Sequence, residues 1–377
     1  MSDLGAYLKG LEDDPKTRKR FRRRPLCETL AGNTVELLTI TSFTAEPDAL
    51  ASRKGVVVSA RVHPGETNAS YMMKGIIDYL TGPSLDAKIL RDNFVFKIIP
   101  VLNPDGVVVG NYRCSLAGLD LNRMWKDPSK RLTPTVWHAK QMMKRLSEDR
   151  ELVLFCGAMG RVSDVAPRMH TQRHSSPPAP PSTDLHGHSR KHNIFCYGCE
   201  QKGLPDRRLS EMIFSRLLWR NSASFSFSDC NFKVQRSKES TASRDPTSHT
   251  PHPPLQVQRS KESTARVVVF KQLGILNSLT MEASFAGANF GRHAGVHFTP
   301  AMLMQMGQYF CDTILDYFDP DQSRLRAVYD ELLALYPPGT ELSGGGEDSA
   351  GSDDNPSEDC ADPAELEQQQ ARRKKEK

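Results

Sequence analysis

Residues 55–66 read Gly-Val-Val-Val-Ser-Ala-Arg-Val-His-Pro-Gly-Glu, GVVVSARVHPGE. The first eight, Gly55 to Val62, are a mostly apolar, β-branched run of the kind that forms a buried strand. The run ends in His63-Pro64-Gly65-Glu66, a turn sequence. Asn68 to Leu80 then predict a helix, because Met72, Met73, Ile76, Ile77 and Leu80 recur on one helical face. A buried strand delivering a His and a Glu to a turn, with a helix behind it, is the unit from which the rest is read.

Further strands are predicted over 33–41, 94–102, 152–156, 193–198, 266–270 and 277–285, from apolar and β-branched content. The 94–102 run is closed by the turn Asn103-Pro104-Asp105-Gly106. Helices are predicted over 137–150, over 299–318 with Thr299 as cap and Pro300 in the first helical position, and over 322–335. Strands alternating with helices give an α/β fold with a mixed or mostly parallel sheet. In such folds the chemistry lies beyond the carboxyl ends of strands.

The 377 residues, 38% hydrophobic and 25% charged, suit a globular body with polar additions. The net charge of +5 is modest and comes from local clusters such as Lys16 to Arg24, KTRKRFRRR. That run reads either as a patch steering an acidic partner or as a solvated stretch ahead of a strand. The first residues, MSDLGAYLKGLEDD, are charged and lack the apolar centre of a secretion signal. No stretch approaches the roughly 18 apolar residues of a membrane span. The eight cysteines are scattered, and without a secretion signal they are expected to be reduced thiols, while Cys196-x-x-Cys199 lacks the second pair of a structural zinc knuckle. No nucleic-acid or membrane partner is expected.

Three segments do not read as parts of a compact domain. Gly157 to Thr183 is rich in Pro, Ser, Arg and His. The nonapeptide VQRSKESTA occurs at Val234–Ala242 and again at Val257–Ala265, around a loop-like spacer. After Pro337 the chain is Gly- and acid-rich, then Lys-rich. The expected organisation is a catalytic domain over 1–336, with insertions at 157–183 and about 243–265, and a disordered tail over 337–377.

Chemistry concentrates at strand ends. His63-x-x-Glu66 offers an imidazole nitrogen and a carboxylate oxygen, both zinc ligands, although the motif alone is as readily a surface turn. If 157–183 loops out, residues 152–156 run on into Asp184-Leu185-His186-Gly187-His188, again bringing a His to a strand's carboxyl end. His186 and His188 both remain open as the third ligand. Glu282, in Ser278-Leu279-Thr280-Met281-Glu282-Ala283-Ser284-Phe285, is a carboxylate in an otherwise apolar or small strand, costly to bury unless paired or functional. It is the candidate general base, or else a salt-bridged strand-end acid. Arg113 and Arg123 flank a loop ending in Asn122, and guanidinium groups there suit a terminal carboxylate or an oxyanion, or a plain surface ion pair.

Taken in order, HPGE, NPDG, YRCSLAGLDLNR, DLHGHSRK, SKESTARVVV and TMEASF resemble the cytosolic carboxypeptidases, the branch of the zinc carboxypeptidases that shortens polyglutamate on tubulin and other proteins. The likeness runs from about Tyr7 to Gln322. It implies a mixed, eight-stranded-type sheet flanked by helices, and one Zn2+ held by His63, Glu66 and His186. It also implies Glu282 as catalytic base, Arg113 as oxyanion stabiliser, and Asn122 and Arg123 as holders of the substrate's terminal carboxylate. Glutamate preference points to Arg266, with Lys238 or Lys261, as the cation facing the leaving residue. The partners implied are polyglutamylated proteins such as tubulin, met in the cytoplasm on microtubules. A zinc deacylase of N-acyl amino acids, or an impaired form that binds glutamylated tails without cutting them, are the competing readings.

Overall fold

The computed structural model describes residues 1–44, 46–150, 152–155, 183–188, 191–201, 208–233, 261–275 and 277–337. Its strands are β1 (Phe21–Glu28), β2 (Thr34–Ile40), β3 (Lys54–Ala60), β4 (Phe94–Ile99), β5 (Leu152–Phe155), β6 (Thr183–His188), β7 (Ile194–Tyr197) and β8 (Leu279–Ser284). The helices are α1 (Ser2–Asp13), α2 (Pro47–Ala51), α3 (Asn68–Thr81), α4 (Leu85–Asn93), α5 (Pro104–Val109), α6 (Pro134–Asp149), α7 (Ser210–Asn221), α8 (Ala265–Gln272), α9 (Pro300–Phe318) and α10 (Ser323–Leu335).

All strands join one mixed sheet in the order β1-β2-β4-β3-β6-β8-β7. β4, β3, β6 and β8 run parallel, while β1, β2 and β7 are antiparallel to their neighbours. β5 and β6 share one edge of β3. β5 pairs with Gly55 to Val57, and β6 takes over at Val58 to Ala60. The sheet therefore has eight strands in seven lateral positions, and the segment between β5 and β6 interrupts a single strand path, as the reading of 152–156 running on into 184–188 requires.

The continuous apolar run of β3 follows from burial on both faces. Val56, Val58 and Ala60 enter a core built with α1, α3, α4, α7, α9 and α10, while Val57 enters a second core built with α6 and α8. α3 crosses α9 at backbone contact. A Cβ on Gly75 would lie 2.0 Å from the Met304 carbonyl oxygen, and one on Gly307 would lie 2.2 Å from that of Met72. Thr299 caps α9 through its hydroxyl, which accepts from the Met302 amide, with Pro300 in the first turn.

Three local readings are corrected. Residues 266–270 form helix α8, not a strand. Ala265, Val268 and Val269 recur at helical spacing into the second core, and that packing outweighs the β preference of three consecutive valines. Asn103-Pro104-Asp105-Gly106 opens helix α5, with the Asn103 side chain accepting from the Gly106 amide. Phe21–Glu28 is the edge strand β1, so Arg22 to Arg24 of the basic run lie in the sheet.

The described residues include 183 and 261–265, which the expected insertions had claimed. Thr183 opens β6, Lys261–Ser263 form a 3-10 turn, and Ala265 opens α8. Residues 261–265 of the second VQRSKESTA copy thus lead into α8, while its first four residues, the whole first copy with Lys238, and residues 338–377 lie outside the described residues. Among the described residues Cys27, Cys196, Cys199, Cys230 and Cys311 are free thiols. Among the described residues, no helix is long and apolar enough to cross a membrane.

Replacing Gly307 by Ala forces the α3–α9 backbones apart and should destabilise the protein by about 1–3 kcal/mol. Urea unfolding followed by circular dichroism measures this, and an unchanged midpoint would refute the contact.

Candidate metal centre

The chain leaves β3 through Arg61, whose φ of 57° places it in the left-handed region and turns the backbone sharply off the sheet. The Arg61 side chain braces the turn it begins. Nε donates to the Pro64 carbonyl at 3.0 Å and Nη1 to Ser70 Oγ at 2.7 Å. The NPDG segment packs directly under this turn, since a Cβ on Gly106 would lie 2.3 Å from Pro64 Cγ. Asn103 adds a bond from Nδ2 to the Val62 carbonyl at 3.2 Å. On the far side Asn68, the first residue of α3, donates to the carbonyls of Ala283 and Ser284 at 3.1 and 2.8 Å, tying the turn to the end of β8.

Glu66 is buried between two histidines. Its Oε1 lies 2.5 Å from His63 Nδ1 and its Oε2 lies 2.8 Å from His186 Nδ1. Oε2 also accepts from the Gly187 amide at 3.2 Å. One donor atom from each of His63, Glu66 and His186 falls within 4.8 Å of the others, and all three residues are buried. His63 Nε2 faces Asp120 Oδ1 at 3.1 Å. An imidazole whose Nε2 hydrogen is held by a carboxylate presents the Nδ1 lone pair on its other side, toward Glu66 and His186. Asp120 is itself fixed: its Oδ2 accepts from Arg113 Nε at 2.9 Å and its Oδ1 from the Asn122 amide at 2.9 Å. The sequence reading missed Asp120. Its only signal is its place in Leu119-Asp120-Leu121-Asn122-Arg123.

The electrostatics follow from burial against charge. Burial alone would push the Glu66 carboxyl up, but His63 and His186 outweigh it and hold the group well below the usual carboxylate range. Burial would push the His63 imidazolium down, yet Glu66 and Asp120 more than offset that and raise it. Burial opposes the Asp120 charge too, and His63 and Arg113 nonetheless keep the carboxyl far below its ordinary value. The site is therefore a buried, ionised carboxylate flanked by two imidazoles whose positive charge offsets the cost of burying it.

His186 is register-paired with Glu282 across the parallel β6–β8 ladder, and adjacent strands lie about 4.8 Å apart. Leu185, Met281 and Ala283 face the α3–α9 core. By strand alternation His186 and Glu282 both face the opposite side of the sheet, where α6 and α8 lie. Glu282 is buried. His188 lies two residues beyond His186, and its Nδ1 accepts from the Lys191 amide at 2.9 Å while its ring packs on Phe195. It is not in the three-residue group.

The remaining candidates flank this centre. Asn122 is buried, and its Oδ1 accepts from the Ala265 amide at 3.0 Å, which fixes the amide plane and turns Nδ2 the other way. Arg123 is half-buried and its Nη1 donates to the Asn122 carbonyl at 3.4 Å. Arg266, next to Ala265 in the first turn of α8, is buried, with Nη1 donating to the Gly198 carbonyl and to Cys199 Sγ, and it lies over the Tyr197 ring. The side chain of Lys261 is outside the described residues.

The donor set fits zinc. Two imidazole nitrogens and a carboxylate oxygen are ligands of the preferred type, and three protein ligands leave a fourth position for water or substrate. The Asp120 contact to His63 is the outer support such ligands ordinarily carry.

Comparisons with known proteins agree with this geometry. The zinc carboxypeptidase family model matches residues 16–287. Cytosolic carboxypeptidase 2 of Xenopus tropicalis is 44% identical over 335 residues, 89% of this chain and 29% of that protein. Cytosolic carboxypeptidase 3 of Mus musculus is 43% identical over 335 residues, 88% of this chain and 28% of its own length. The chain thus spans less than a third of the length of these relatives. Among solved structures, a metallo-carboxypeptidase from Burkholderia cenocepacia superposes with a TM-score of 0.60 at 23% identity, covering 84% of this chain and 69% of that one. Carboxypeptidase A from Helicoverpa armigera superposes with a TM-score of 0.51 at 16% identity, covering 87% and 73%. At these identities the two structures speak for the fold alone.

Asp120→Asn leaves the shape but removes the charge that orients His63. Zinc affinity, measured by competition with a chromogenic chelator, should fall about 10–100-fold. Unchanged affinity would contradict the assigned orientation.

Proposed function

This chain belongs to the zinc carboxypeptidase family, and we propose that it removes C-terminal or side-chain glutamates from proteins, with glutamylated tubulin as substrate and the cytoplasm as its place of action. One observation carries the reading: a buried His63–Glu66–His186 group whose His186 is in register with a buried Glu282, at the carboxyl ends of β3, β6 and β8.

His63, Glu66 and His186 would hold the zinc ion, which when bound would supply Lewis acidity at the scissile carbonyl and lower the pKa of water to about 7. The Glu282 carboxylate takes the proton from the attacking water and returns it to the leaving nitrogen. Arg113, fixed at Nε by Asp120, is the cation that stabilises the developing oxyanion. Asn122 Nδ2, freed by the bond of Oδ1 to Ala265, and Arg123 grip the terminal carboxylate of the substrate. Arg266 supplies positive charge for the leaving glutamate. Its position beside Ala265 links it through one backbone bond to the Asn122 subsite.

The experiment is hydrolysis of a polyglutamate peptide and of glutamylated tubulin, read by mass spectrometry. The wild-type protein with zinc should release glutamate. Glu282→Gln should lower turnover by about 10²–10⁴-fold while the protein still carries one zinc per chain. In the same assay Arg266→Gln should lose preference for glutamate over glutamine at the cleaved end. A Glu282→Gln protein that cuts at the normal rate would refute the base. Wild-type protein that binds the peptide without cutting it would refute the enzymatic reading.

A further inference from the structure

Away from the metal ligands the molecule carries a second concavity of about 680 Å³, between α6 and strands β1, β2 and β4. It lies at the amino ends of β3 and β4, where Leu50, Val95 and Arg150 line it, whereas His63 and His186 lie at the carboxyl ends of the parallel strands. Its floor is apolar, formed by Leu37, Val95, Met142 and Leu146. Its walls carry Arg22, Arg24, Lys97, Lys130, Arg145 and Arg150, against a single acid, Asp149. Among the described residues none of these six cations makes an ion pair with a carboxylate.

The cations are arranged by the fold. Arg22 and Arg24 alternate along β1 onto the α6 side, while Arg23 between them pairs with Glu36 and Glu12. Arg22 stacks on Phe43 and Lys130 on Trp137, with cation-to-centroid distances of 4.3 and 5.2 Å. Arg150 donates from Nη1 to the Leu50 carbonyl at 2.7 Å, and its Nε is buried without a partner. Burial, and then Arg150 and Arg24, push the Lys97 ammonium down, and burial with Lys130 and Arg145 does the same to His138. Each of these groups would be relieved by a negative charge in the concavity.

We propose that this trough is a docking site for an acidic peptide segment. Its wall on α6 runs from Trp137 to Asp149, about 18 Å at the rise of a helix. That length admits about five residues of extended chain. Cations spread along a trough match carboxylates repeated along a peptide, and guanidinium groups grip carboxylates with two bonds. The apolar floor accommodates the methylenes of glutamate side chains. Association there is steered by charge and weakens with salt.

The test uses fluorescein-labelled hexaglutamate with an amidated C-terminus, so that no free terminal carboxylate is offered for cleavage, with amidated hexaglutamine as control. Binding is read by anisotropy. Hexaglutamate should bind at least tenfold more tightly than hexaglutamine and weaken as salt rises. Arg24→Glu with Arg145→Glu, both exposed positions, should weaken it a further tenfold or more at an unchanged melting temperature. A benzophenone-bearing hexaglutamate should crosslink to residues 137–149. Three results would overturn the proposal: equal affinity for hexaglutamine, full affinity in the double variant, or crosslinks confined to the loops carrying Arg113, Arg123 and Arg266. Displacement by inorganic phosphate or a single-stranded oligonucleotide at concentrations lower than those of unlabelled hexaglutamate would also overturn it, by making the site one for phosphate groups.

Discussion

The structure turns on a buried carboxylate. Glu66 sits between two imidazoles with both oxygens engaged, in a place where an isolated anion would be expensive. Its surroundings serve to hold that arrangement. Arg61 in a left-handed conformation turns the chain, Gly106 lets the NPDG segment lie against Pro64, Asn68 ties the turn to β8, and Asp120 orients His63. A cation bound by His63, Glu66 and His186 would offset the buried carboxylate further, so metal binding and the local fold would stabilise each other.

The sheet explains how distant residues converge on one site. β3, β6 and β8 are adjacent and parallel, so their carboxyl ends open on the same side, and His63, His186 and Glu282 arrive there from three separate parts of the chain. Because β5 and β6 occupy successive parts of one edge of β3, the long segment between them leaves the register of His186 against Glu282 intact. α8 reaches the same site from the helical layer. The Asn122–Ala265 bond couples it to the loop of Arg113 and Arg123 and so fixes the last residue of the second VQRSKESTA copy.

Much of this was legible in the residues. The strand over Gly55 to Val62, the helix over Asn68 to Leu80 and the capped helix from Pro300 each carry a period and an end signal that burial then enforces. Less visible was what tertiary packing decides. Three valines in 267–269 look like a strand, but the edge available to them is the second core, which takes Val268 and Val269 from a helix. Arg22 to Arg24 look like a solvated run, yet an edge strand tolerates such charge on its faces. Asp120 could not have been singled out by spacing, since its partner His63 lies 57 positions away. Motif resemblance supplied the choice of His186 over His188, and the fold gives its physical ground: His188 already accepts a backbone hydrogen bond at Nδ1.

The central claim is that two histidines and one carboxylate hold a single zinc ion. X-ray absorption at the zinc edge, on purified protein loaded with one equivalent, tests it most directly. The account predicts a first shell of nitrogen and oxygen alone, at about 2.0–2.2 Å. Sulfur scatterers at about 2.3 Å, or an unaltered spectrum when His186 is replaced by Ala, would contradict it.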